Sequence, residues 1–93
     1  MANLEYVQHI QTCIDEYMVR TGKHEINEME ANIELARVGL LDDDVRHPGA
    51  PLRELLISLR DSNLLPQNIR QVFGSWKIKN SRTLQKMIQI MQF

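Results

Sequence analysis

Ninety-three residues, 43% hydrophobic and 25% charged, are enough for one modest core and set the expectation of a single domain over residues 1–93. No apolar run exceeds three residues, the start MANLEYVQHIQ has neither the basic end nor the apolar centre of a secretory signal, and Cys13 stands alone, so a membrane span, a leader and an internal disulfide are not expected and a cytoplasmic setting is. The net charge of −1 hides a division: residues 1–45 carry three Lys/Arg against ten Asp/Glu, a balance of −7, and residues 46–93 carry eight against two, a balance of +6.

Residues 4–21 read as a helix. Val7, Ile10, Ile14 and Tyr17 form one apolar stripe, widened by Leu4, Cys13 and Met18, and Thr21-Gly22 closes it. A second helix is expected from Asn27, which can cap it with Glu30 three residues on. Its apolar stripe reads Met29, Ile33, Ala36, Leu40, with Gly39 weakening the last turn before Leu40-Leu41. Residues 1–41 thus make an acidic helical pair. Residues 42–50, Asp-Asp-Asp-Val-Arg-His-Pro-Gly-Ala, are a loop, because crowded acids and Pro-Gly disfavour helix and strand alike.

Residues 51–93 form the basic half. Pro51 suits the first position of a third helix, and Leu52, Leu55, Leu56 and Leu59 give the strongest apolar stripe in the chain. Burying each leucine contributes roughly 1.5–3 kcal/mol before entropy, so this helix is expected at the centre of the core. Asp61-Ser62-Asn63 stops it.

Residues 66–79 read two ways. As a helix, Pro66 opens a stripe of Ile69, Val72, Phe73 and Trp76. As strands, residues 69–72 and 76–79 flank Phe73-Gly74-Ser75, with Trp76 and Ile78 on one face and Lys77 and Lys79 on the other. A short helix over 66–73 followed by a strand is the compromise expectation. Ser81 can cap a last helix to about Gln92, with Leu84, Met87, Ile88 and Met91 as its stripe. The predicted fold is therefore mainly α, four or five short helices, with one β-hairpin around residues 69–79 left open.

No catalytic pattern stands out. His9 and Cys13 are four apart on the first helix, but two ligands do not make a zinc site. The Asp42-Asp43-Asp44 run lacks the spacing of a calcium loop. No serine sits in a Gly-framed elbow, and no Gly-rich phosphate loop is present. No enzyme activity, cofactor or metal is expected.

The basic half suggests an anionic partner, or an internal attraction to the acidic half. Arg53, Arg60, Arg70, Lys77, Lys79, Arg82 and Lys86 are the candidate nucleic-acid contacts, with Asn68, Gln71, Asn80 and Gln85 nearby. The leading expectation is a small non-enzymatic DNA-binding or accessory module. The alternative is a protein-interaction or inhibitor-type domain using its acidic helices, with self-association through the first or last helix.

Residues 52–59, Asn63-Leu64-Leu65-Pro66, residues 69–73, Gly74-Ser75-Trp76-Lys77-Ile78-Lys79, Asn80-Ser81 and residues 84–88 follow a further order: helix, Leu-Pro junction, Gly turn, aromatic-basic-apolar strand, polar cap, closing helix. Residues 49–93 resemble in this respect the small winged helix-turn-helix modules of excisionases and their relatives. The resemblance implies base contacts from the third helix through Arg53 and Glu54, Arg60 near phosphate, and a backbone clamp by Arg70, Lys77 and Lys79 from a wing. The chain departs from such modules in the long acidic loop before the third helix, where they have a tight turn.

Overall fold

A computed structural model describes residues 4–82. The first helix, α1 (Leu4–Thr21), buries Val7, Ile10, Ile14 and Met18 along one side. A three-residue strand follows, β1 (Glu25–Asn27), then α2 (Glu28–Arg37), α3 (Ala50–Asp61), β2 (Ile69–Val72) and β3 (Ser75–Lys79). The strands form one antiparallel sheet in the order β1-β3-β2. The expected mainly α bundle of four or five helices is thus corrected to three helices and a three-stranded sheet among the described residues. The expected last helix lies largely outside them, as does Lys86.

All three described helices stop in the same way. A residue in the left-handed region follows each: Gly22 (φ 72°), Gly39 (φ 81°) and Asn63 (φ 58°). The next amide then reaches back to a carbonyl in the last turn: Lys23 to Met18 at 3.0 Å, Leu40 to Leu35 at 2.9 Å, and Leu64 to Leu59 at 2.8 Å. This pattern satisfies carbonyls that the helix itself leaves free. Gly39 therefore ends α2 rather than weakening a turn inside it. At the other end, Asn27 caps α2 as expected, its Oδ1 accepting the Glu30 amide at 2.8 Å.

The core gathers Ile10, Ile14 and Met18 of α1, Ala31 and Leu35 of α2, and Leu52, Leu56 and Leu59 of α3 over Ile26, Ile69, Trp76 and Ile78 of the sheet. Leu52 and Trp76 have no exposed surface, so the leucine helix does sit at the centre. The expected stripe on α2 does not. Met29 and Ile33 are 44% and 61% exposed, while Glu28, Ala31, Asn32, Glu34 and Leu35 face inward. Apolar spacing named the wrong face because the inward one carries polar side chains with buried partners.

The helix expected over 66–73 is absent. Residues 69–72 are strand, and Phe73 (φ 50°) and Gly74 (φ 79°) make a two-residue turn into β3. Two positive φ values in succession match the right-handed twist of paired strands, which a helical continuation would break. β1 was not foreseen, since three residues of Glu-Ile-Asn carry no strand signal of their own. It exists because the edge of β3 accepts it, Ile26 lying opposite Ile78.

Candidate nucleic-acid interface

Cross-strand register sorts the side chains of the sheet. Ile26, Ile78 and Ile69 lie in one row and are buried under the helices. The next row, Asn27, Lys77 and Arg70, points the other way, and all three are exposed. Lys79 and Glu25 oppose each other on that same outer face. Alternation along the strands thus places Arg70, Lys77 and Lys79 together on solvent.

Arg70 stands directly opposite Lys77. Like charges facing across antiparallel strands are destabilising, by amounts of the order of 0.2–1 kcal/mol. One carboxylate eases the crowding: Glu25 lies 3.9 Å from Lys77 Nζ, and both groups are well exposed. Neither Arg70 nor Lys79 has an ion pair among the described residues. Residues 66–82 contain no Asp or Glu at all.

The other candidate residues lie elsewhere. Arg53 is on α3, and its Nη2 meets Glu28 Oε1 at 3.4 Å. Glu28 is buried, and its Oε2 accepts the Trp76 amide at 3.0 Å, so this carboxylate continues the edge of β3 beyond the end of β1. Arg53 is therefore a half-buried partner of a structural carboxylate. Arg60, also on α3, pairs with the exposed Asp61 at 3.2 Å and donates from Nη1 to Gln71 Oε1 at 2.7 Å. That bond ties the end of α3 to the hairpin on the helix side of the sheet. Arg82 is exposed just past Asn80, whose Oδ1 accepts its amide at 2.9 Å. The Ser81 amide and hydroxyl both donate to the buried carboxylate of Asp15 on α1, and the helix it was expected to cap lies largely outside the described residues.

The acids of the first half are largely answered within it. Glu34 is buried and takes Arg37 Nε at 2.7 Å and Arg20 Nη2 at 2.9 Å. Arg37 first, and then Arg20, hold its carboxyl down to about 2. Glu30 pairs with Lys23 and accepts the Tyr17 hydroxyl, both of which lower its pKa. Glu34 and Glu30 thus fasten α1 to α2. The loop acids are also employed. Asp43 Oδ1 accepts the Gly49 amide at 3.0 Å, and Asp44 Oδ1 accepts that of Arg46 at 2.9 Å.

His9 sits 3.9 Å from Glu5, and no cluster of three or more His, Cys, Asp or Glu forms a metal cage among the described residues. Burial pushes the Cys13 thiol up, and Glu34 and Glu16 add to it, so it stays protonated at neutral pH. No helix is long and apolar enough to cross a membrane among these residues. No protein-family model, curated protein or solved structure matches the chain.

Sequence reasoning overlooked Glu28, and it gave Phe73 no part in binding. In the helical reading Phe73 belongs to an apolar stripe and in the strand reading to the Phe73-Gly74-Ser75 turn; it stands in the turn, wholly exposed at the tip of the hairpin. The aromatic-Gly pair between two alternating segments was the available signal. Glu28 gave none, because its role depends on where β3 runs.

Proposed function

We propose that this chain is a small, non-enzymatic module that binds double-stranded DNA through the outer face of its β2–β3 hairpin. One observation carries the reading: Arg70 and Lys77 face each other across the hairpin, next to Lys79, with a single weak carboxylate contact among them. A fold gains nothing from that crowding, whereas phosphates at the spacing of a nucleic-acid backbone relieve it. The element order also supports the resemblance to winged helix-turn-helix modules, since a hairpin follows the leucine helix and β3 lies at the centre of the sheet. Here α3 serves less as a base reader than the resemblance implies, because Arg53 is engaged with Glu28.

The test is duplex binding by fluorescence anisotropy at two salt levels. Three cations each meeting a phosphate give a slope of log affinity on log salt of roughly −2.7, about a 40-fold loss between 50 and 200 mM. Replacing Arg70, Lys77 and Lys79 together by Ala should flatten that slope. Absence of binding at low salt refutes the reading, and an unchanged slope in the triple variant removes the hairpin from it.

A second reading is contact with another protein, or a second copy, through α2. The exposure of Met29 and Ile33, one turn apart on the helix, favours it. Sedimentation of the wild type and of Ile33→Lys decides the self-association form: a dimer that the variant dissociates supports it, and a monomer in both sets it aside.

A further inference from the structure

The hairpin tip carries a residue that its own geometry does not ask for. A two-residue turn with both φ positive is met best by Asn-Gly or Asp-Gly. Here the first position is Phe73 at φ 50°, a left-handed conformation that a bulky side chain rarely adopts. The ring gains no packing in return, for Phe73 is wholly exposed while the other large aromatic of the hairpin, Trp76, is wholly buried. Strain without a packing reward is a mark of a functional position.

The surroundings say what the ring would meet. Phe73 stands at the end of a stalk whose outer face presents Arg70 opposite Lys77, and no acid occurs from residue 66 to residue 82. An apolar tip on a basic stalk fits a ligand with anionic flanks and an apolar interior. Stacked bases between two phosphate backbones have that arrangement, and apolar side chains inserted at base steps are a known mode of contact. A hydrophobic groove on a protein partner would not call for paired cations behind the tip.

We propose that Phe73 is an apolar probe that the hairpin presses against the bases of the duplex while Arg70 and Lys77 hold the flanking phosphates. This rests on the reading of the hairpin as a DNA-binding element, and the two separate experimentally.

The test compares full-length wild type, Phe73→Asn, Phe73→Trp and Lys77→Ala on one mixed-sequence duplex across a salt series. Phe73→Asn installs the preferred turn residue, so its melting temperature should rise by a few degrees. Its affinity should fall about tenfold, within the range that removing an aromatic–base stack produces, at an unchanged salt slope. Phe73→Trp should keep most of the affinity, and Lys77→Ala should flatten the slope by about one phosphate contact. If Phe73→Asn binds within twofold of wild type, the tip makes no base contact, although the cationic face still binds. A flattened slope in Phe73→Asn also overturns the inference, because the tip then acts only by aligning the cations. A wild type that binds no duplex overturns this inference together with the reading beneath it.

Discussion

Asn32 has no exposed surface and uses both ends of its amide. Its Oδ1 accepts the Leu52 amide at 2.9 Å and its Nδ2 donates to the Asp42 carbonyl at 3.4 Å. The cap of α3, Gly49, has no side chain to satisfy the free amides of the first turn, so a residue of α2 does it instead. Asn32→Ala leaves a buried donor unpaired and should cost about 1–3 kcal/mol, read as a lower denaturant midpoint at unchanged slope. Glu34 makes a different fastening, and its sign with pH is fixed. Its carboxyl lies at about 2 in the folded chain against 4.5 unperturbed. The resulting stability is complete above pH 4.5 and is lost as pH falls from 4.5 towards 2. Glu30, also lowered, adds in the same direction. Thermal melts of Glu34→Gln should show a lower melting temperature at pH 7 and a shallower decline through that acid window than wild type. These buried polar residues are why the inward face of α2 escaped detection: apolar spacing finds Met29 and Ile33, and only tertiary partners reveal Glu28, Asn32 and Glu34.

Where elements meet, one glycine is dictated by space as well as by conformation. A Cβ on Gly49 (φ 84°) would stand 2.9 Å from Met29 Cγ and 3.0 Å from Met29 Cα, so the start of α3 approaches the backbone of α2. Gly22 has a similar φ of 72° with nothing within 4 Å. Gly22→Ala should therefore cost about 1 kcal/mol from conformation alone. Gly49→Ala should cost distinctly more, about 2–3 kcal/mol, because backbone must also shift. Equal losses in chemical denaturation would contradict the close approach. The sequence made α1, the start of α2 and α3 readable, since their caps and stripes are local. The hairpin was ambiguous because Pro66 and the spacing of Ile69, Val72, Phe73 and Trp76 imitate a helix, and Phe73 replaces the residue that usually announces a tight turn. β1 was beyond reach, its pairing partner lying some fifty residues away along the chain.

Across the molecule, the two charged halves do not simply neutralise each other. Glu34 and Glu30 are answered by Arg20, Arg37 and Lys23 of the same half. Two Lys/Arg–carboxylate pairs cross between halves among the described residues, Glu28 with Arg53 and Glu25 with Lys77. The sequence disclosed the charge split and the three cations that now share a face. It could not disclose that Arg53 and Arg60 would be engaged on α3, because that depends on packing. Glu25 is the one acid set among the hairpin cations, so Glu25→Gln should strengthen duplex binding by roughly two- to fivefold at low ionic strength and leave it nearly unchanged at high salt. The most direct measurement is a ¹⁵N–¹H titration of the full chain with a short duplex. The largest shift changes are expected at Arg70, Phe73, Gly74, Lys77 and Lys79. Shifts confined to the Met29–Ile33 face of α2, or a spectrum that the duplex leaves unmoved, would contradict this expectation.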